Sequence, residues 1–321
     1  MLLVEATINA TLHRISMEGH ALTHYWDPEI IGFDPPYYEP AYPYGGYISP
    51  TFGAIRFSHD LFSADWPPPV NMTLSIYYSA TTEEAKELVF VGTAHISKMT
   101  REEIEYELYG PTYSATVADS EVFNDTLVNV VTWFCGASYL NLTLDHIYDR
   151  ASSPQVVFMT SGVQIAINLL SEMCAFFAHC FYIKDGTLYL VDMLLDAGTE
   201  TITEFDYHPS EYHWESPIAV ARASQYSRFS TYKYGQDVTL TAYADTQERI
   251  EAALDNIILV SNKANMRLRR PLLGSFPTAG KEINLPDTSL GTDTDVAIRA
   301  RSLQLDFENE EAVTTGEGEL S

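Results

Sequence analysis

The sequence predicts an α+β fold that is mainly β, with two β-barrel-like domains flanking a helical and hairpin middle region. Three observations carry that expectation. Short runs that alternate apolar and polar residues fill both ends of the chain, the signature of strands with one face in water. From about residue 119 the apolar spacing changes to that of helices. An Asp-Gly pair then sits between two alternating runs in FYIKDGTLYLVD (181–192), the strongest short hairpin signal, because both central residues of that turn need positive φ.

Taken in order, residues 3–16 place Val4, Ala6, Ile8, Ala10 and Leu12 on one side and Glu5, Thr7, Asn9 and Thr11 on the other. The same alternation recurs in AIRFS (54–58), NMTLSIYYS (71–79), LVFVGTAHIS (88–97) and EIEYELYG (103–110). Between them lies a Tyr/Pro-rich arm, 27–53, holding six prolines (Pro28, Pro35, Pro36, Pro40, Pro43 and Pro50). Proline lacks the N–H that a helix or a central strand requires, so the arm is expected to be neither. Its rings need a surface to lie against, which makes Tyr37, Tyr38, Tyr42, Tyr44 and Tyr47 candidates for a subunit interface; a sugar-binding platform is the competing reading.

DSEVFNDTLVNVVTWFCGAS (119–138) reads as a helix capped by Asp119, with Val122, Leu127, Val130, Val131 and Phe134 at helical intervals. The run 163–180 stripes Val163, Ala166, Ile167, Leu170, Cys174, Phe177 and Ala178, and Ile165, Leu169 and Met173 widen the stripe, as in a helix covered on several sides. Strand patterns resume at 200–207, 216–224, 228–235, 237–244 and 296–307. One long helix, 245–270, opens on Asp245 and Glu248 and stripes Ile250, Ala253, Leu254, Ile257, Ile258 and Ser261. Arg267, Arg269 and Arg270 would then sit where the helix dipole favours cations, and they are further interface candidates against an acidic neighbour. The acidic tail ENEEAVTTGEGELS is expected to fray. These patterns divide the chain into 1–116 with the arm, 117–195, and 196–321 with the long helix and the tail.

Charge and motifs narrow the function. Eighteen basic against 44 acidic residues leave a net charge of −26, which repels nucleic acid and disfavours phosphate-gripping roles. The chain contains no phosphate-binding Gly loop, HExxH, GxSxG or dinucleotide fingerprint, so no catalytic residue, cofactor or metal is assigned. His20 and His24 lie four apart in a strand-like stretch where they would not converge; Cys174 and Cys180, six apart on a helix, would point to different faces, and His179 and Cys180 are better read as a helix end packed on the hairpin. Glu83-Glu84, Glu102-Glu103 and Glu310-Glu311 invite a glycosidase reading, but adjacent acids arise freely among 44 and the solvated surface is the better reading. Cys135, Cys174 and Cys180 lack CxxC spacing and are expected to be buried, reduced thiols. The start has no basic n-region, the four N-x-T sequons imply nothing without a secretory context, and no run reaches the roughly 18–20 apolar residues that span a bilayer. A reducing cytoplasm is the expected place of synthesis.

The succession PTFGAIRFSHDLF (50–62), LVFVGTAHISKM (88–99), EYELYGPTY (105–113) and HCFYIKDGTLYLVDM (179–193) resembles bacteriophage tail hub (baseplate hub) proteins. The arm departs from that pattern. The resemblance implies two barrels on either side of a helical portion, in a homotrimer whose six barrels meet a hexameric tail tube. It further implies a non-enzymatic virion protein at the tail tip, assembled in the host cytoplasm. Its partners would be other copies of itself, the tail tube or distal tail protein, and a central spike or fibre, with genome DNA passing an acidic lumen without specific binding. The alternatives are a distal tail or adaptor ring protein and a carbohydrate-binding or carbohydrate-degrading module at the tail tip.

Overall fold

A computed structural model of the chain describes residues 2–8, 11–17, 26–34, 37–51, 53–58, 68–78, 87–148, 153–184, 186–194, 199–201, 208–213, 218–231, 234–261, 264–271, 282–285, 296–306 and 311–318. The first alternating stretch is a hairpin rather than one strand: β1 (Leu2–Ile8) pairs antiparallel with β2 (Thr11–Met17), Val4 opposite Ile15. β3 (Trp26–Phe33) follows, then two strands in the arm, β4 (Tyr37–Tyr42) and β5 (Gly45–Thr51). β6 (Ala54–Ser58), β7 (Asn71–Tyr78), β8 (Glu87–Met99) and β9 (Glu103–Tyr109) complete the N-terminal part.

Seven of these strands close a barrel in the order β1-β2-β3-β6-β9-β8-β7, with β7 returning to β1. Alternation produces its core. On β9, Ile104, Tyr106 and Leu108 are buried while Glu103, Glu105 and Glu107 point outward. Val4, Ile55, Phe57, Leu74, Ile76 and Ala94 are fully enclosed beside them. Tyr106 can be there because its hydroxyl donates to the Pro69 carbonyl at 2.9 Å, and its ring meets Phe57 edge to face. Outside, Arg56 joins Asp34 (3.0 Å) and Glu105 (3.1 Å).

The middle of the chain runs β10 (Thr116–Val117), β11 (Val122–Thr126), α1 (Leu127–Cys135), β12 (Thr143–Tyr148), β13 (Gln155–Met159), β14 (Gln164–Ile165), α2 (Ala166–Phe176), β15 (His179–Lys184) and β16 (Thr187–Asp192). The first helix is shorter than the sequence predicts. Its cap is Thr126, whose hydroxyl accepts from the Asn129 N–H, and residues 122–126 pair with β13 instead. Asp119 serves another end, accepting the Gly162 N–H at 2.6 Å. The cross-strand ladder holds Val122 to Thr126 extended, so the helix begins after Thr126 and not after Asp119. α2 is covered on several sides as its stripe implies: nine of its eleven residues are buried, leaving Asn168 and Glu172 outward. Ala178 stops it with φ +56, and the hairpin β15–β16 follows with Gly186 at φ +74.

The C-terminal part runs β17 (Thr199–Thr201), β18 (His208–His213), β19 (Ile218–Ala223), β20 (Tyr226–Phe229), β21 (Gln236–Leu240), α3 (Gln247–Ser261), β22 (Ala264–Pro271), β23 (Glu282–Leu285), β24 (Val296–Asp306) and β25 (Glu311–Gly318). α3 buries Ile250, Ala253, Leu254, Ile257 and Val260 and ends at Ser261, with no basic residue in its last turn. Arg267, Arg269 and Arg270 therefore lie on β22, which pairs with β18 and β25, and the dipole reading of that cluster is corrected. The pattern changes there from helical spacing to Met266 and Leu268 alternating with arginines. The tail is corrected too: residues 311–318 form β25 between β22 and β24, where both edges find ladder partners.

An eleven-stranded sheet joins distant parts of the chain in the order β12-β16-β15-β5-β4-β24-β25-β22-β18, with β23 against β24 and β17 against β23. Residues 37–51 of the arm stand inside this sheet and its start lies on β3 of the barrel, against the expectation that its prolines would exclude it from strands. Its outer pairings avoid proline: β4 meets β24 at Tyr37 and Tyr38, and β5 meets β15 at Gly46 and Tyr47. Pro40 and Pro50 face only the partner strand within the β4–β5 hairpin. Pro28 falls where the β2–β3 register breaks. A single apolar core unites α1, α2, α3, the hairpin and the three-stranded sheet β20-β19-β21.

Candidate functional site at the tyrosine arm

The arm reaches α2 because two glycines let its backbone come close. Gly45 (φ +141) and Gly46 (φ +93) follow the Pro43-Tyr44 turn, and a Cβ on Gly45 would collide with the His179 carbonyl. The Tyr47 N–H then donates to the buried Ser171 hydroxyl on α2 at 2.9 Å. This seats the rings. Tyr47 stacks on Phe181 of β15 at 5.1 Å, and Tyr42 stacks on Tyr44 at 5.6 Å. Tyr44 is 7% exposed, so its ring is held within the chain's own core, whereas Tyr42 keeps part of its ring open.

Tyr42, Tyr44, Glu172, Phe176, Tyr243 and the strand end Thr239–Thr241 enclose a cleft of about 130 Å³. The buried Tyr243 ring packs on Phe158 (4.6 Å) and Phe176 (5.8 Å), and its hydroxyl donates to Glu172 Oε2 at 2.7 Å. Burial pushes the Tyr44 phenol up to about 12, and neighbouring Tyr42 and Glu172 push the same way. Tyr42 is raised by burial and then by Glu172. Tyr243 is raised by burial first, then by its bond to Glu172, while Thr241 opposes the shift. All three phenols are neutral at physiological pH, and the cleft carries one carboxylate as its formal charge.

The other predicted residues lie apart. Tyr37 and Tyr38 stand on β4 opposite Gln304 and Leu303, and Arg267, Arg269 and Arg270 lie on β22; the side chains of these five fall outside the described residues. Cys174 belongs to α2, while His179 and Cys180 begin β15 rather than ending the helix. All three cysteines are buried and none is in a disulfide. Burial pushes Cys135 up to about 11 and Cys174 well above the ordinary thiol value. His179 is fully enclosed, its Nδ1 2.9 Å from the Phe177 carbonyl and its Nε2 4.0 Å from Asp192 Oδ2. Among the described residues no three His, Cys, Asp or Glu side chains are placed to hold a metal, and no helix is long and apolar enough to cross a membrane. Glu103 pairs with Lys98 beside exposed Glu102, while His20, His24, Glu83, Glu84 and Glu310 lie outside the described residues. Glu105, held down chiefly by its hydrogen bond from Arg56, and Asp125, held down chiefly by Asn129, move opposite to what a general acid requires.

Sequence reasoning did not single out Glu172 or Tyr243. Glu172 was visible as one of the few polar breaks in 163–183, but its partner is 71 positions away. The helical stripes are corrected at their starts: Val122, Val163 and Ile165 precede α1 and α2 and are exposed, as is Met159, which lies directly opposite Val122 on β11 and β13.

No protein-family model matches the sequence, and no curated protein matches it. Solved structures do. The tail protein from Neisseria meningitidis superposes with a TM-score of 0.61 at 9% identity, over 99% of this chain and 97% of that one. The 43 kDa tail protein of prophage MuSo2 from Shewanella oneidensis gives 0.57 at 10% identity, over 98% and 97%. The prophage tail protein gp18 from Listeria monocytogenes gives 0.52 at 8% identity, over 100% and 95%. The chain has the fold of these phage tail proteins, mainly β, with three α-helices among the described residues.

Proposed function

We propose that the chain is a structural component of a phage tail, a hub that assembles as a homotrimeric ring at the tail tip. The observation that carries this reading is end-to-end likeness: a tail protein is matched over almost the whole of both chains, so the likeness is to a complete architecture and not to one common barrel. Each copy contributes two lobes, the closed barrel of β1–β3 and β6–β9 and the large sheet with its C-terminal strands, and the core around α2 adjoins that sheet. Three copies then present six lobes, an approximate sixfold face for the tail tube or distal tail ring, with the opposite face for the central spike or fibre. The units 1–116, 117–195 and 196–321 describe this plan, with residues 37–51 crossing from the first into the sheet of the others. The charge of −26 gives the lumen a wall that DNA slides past. No chemistry is assigned to the chain in this role. Tyr37, Tyr38, Tyr42 and the β22 arginines are the proposed subunit contacts. A sugar platform is the weaker reading, because Tyr44 and Tyr47 spend their rings on the chain's own core.

Light scattering on the purified chain, alone and with its tube protein, tests this. The expected species is three times 36.0 kDa, about 108 kDa, resolved by electron microscopy as a ring. A species of six copies would assign an adaptor ring instead, and a monomer that persists beside the tube protein overturns the hub.

A further inference from the structure

The cleft between the arm and α2 has the composition of a cation receptor. Glu172 is a carboxylate set on a helix that is otherwise nearly all buried, and one of its oxygens, Oε2, already accepts the Tyr243 hydroxyl at 2.7 Å. That bond ties the carboxylate to the Tyr243 wall through Oε2. Among the described residues no Lys, Arg or His forms an ion pair with it. Four rings line the cleft, Tyr42 stacked on Tyr44 and Phe176 packed on Tyr243, and Ala175 with the strand end Thr239–Thr241 completes the wall. Aromatic faces attract cations and repel anions, and they do so more strongly where water is partly excluded. Neutral apolar groups gain less here, because they would bury the free carboxylate oxygen without a partner.

We infer that this cleft receives a cationic side chain, a guanidinium in first place, presented by a neighbouring protein. A planar guanidinium can lie against a tyrosine face and donate to a carboxylate at once, which a compact ammonium does less well. The volume of about 130 Å³ holds roughly four waters, enough for the charged head and its adjoining methylenes. A chain of charge −26 offers this pocket to partners richer in arginine than itself. The inference stands whether or not the chain builds a tail, since it rests on the cleft alone.

The test titrates the full chain, carrying ring-labelled tyrosine, with four probes: N-acetyl-arginine amide, N-acetyl-lysine amide, choline and the neutral N-acetyl-norleucine amide. The expected result is saturable shifts of the cleft tyrosines with arginine, weaker ones with lysine, and none with norleucine. Glu172→Gln, which keeps an acceptor for Tyr243, should weaken arginine binding at least tenfold, and Tyr42→Leu should weaken it several-fold; either variant suffices if the other fails to fold. Norleucine binding within twofold of arginine, or unchanged arginine binding in folded Glu172→Gln, overturns the proposal. Choline binding more tightly than arginine overturns the assignment to a protein side chain.

Discussion

Replacing Gly45 by alanine separates two costs that the arm places on one residue. The first is conformational: φ is +141, where an L side chain is strained, and a residue with a Cβ held at positive φ costs about 1–2 kcal/mol. The second is the close approach, since the new Cβ would meet the His179 carbonyl and lie 3.3 Å from the Ala175 Cα, both backbone atoms of the core. Neither can swing aside as a side-chain tip would, so overpacking adds about 1–3 kcal/mol. The sum is about 2–5 kcal/mol, a large part of the roughly 5–15 kcal/mol typical of a folded domain. Gly162 supplies the control, because its φ is +83 but nothing lies within 4 Å of a Cβ there. Gly162→Ala should cost only the conformational part, about 1–2 kcal/mol. Urea unfolding of both variants, read by tryptophan fluorescence and far-ultraviolet circular dichroism, gives the two differences. If Gly45→Ala costs no more than Gly162→Ala, the arm is not pressed against α2 and β15 as described, and the reasoning fails.

Three further expectations follow from the same structure. Leu170→Ala, at a fully buried position of α2, should lower unfolding stability by about 2–5 kcal/mol in the same urea assay. Glu105 has a depressed folded pKa, so its contribution is fully present above its unfolded value near 4.5 and is lost as pH falls through the folded one. Stability measured from pH 6 to pH 3 should therefore fall less steeply in Glu105→Gln than in the unaltered chain. Cys135, Cys174 and Cys180 should resist a thiol reagent at neutral pH in the folded chain and all react once urea unfolds it; fast labelling of Cys174 in the folded state would contradict its burial.

What the sequence revealed was what neighbouring residues decide. Ile104, Tyr106 and Leu108 alternate with glutamates, and the barrel wall follows the same alternation. Asp185-Gly186 marked a hairpin whose strands pair from Lys184–Thr187 outward. The α2 stripe predicted burial on several sides, which nine buried residues show. What stayed hidden was set by distant partners. Prolines in the arm read as breaks because the proline-free contacts at Tyr37–Tyr38 and Gly46–Tyr47 depend on strands far along the chain. The arginine cluster read as a helix end because the ladder that recruits β22 comes from β18 and β25. The candidate cleft was half visible: Tyr42 and Tyr44 were flagged, but Glu172 and Tyr243 acquire meaning only when α2 packs beside the strand end at 239–243.

The arm's position has a consequence for how the polypeptide is made. β5 waits for β15, from residue 46 to residue 180, and β4 waits for β24, from residue 38 to residue 303. At about 5–20 residues per second, a ribosome leaves the outer edge of β4 without its neighbour for roughly 13–50 s. During that interval the growing chain displays an unfinished ladder that could take a strand from another copy. Completion of that ladder thus waits on β24, and a truncated product ending before 296 would be expected to join with others rather than persist alone.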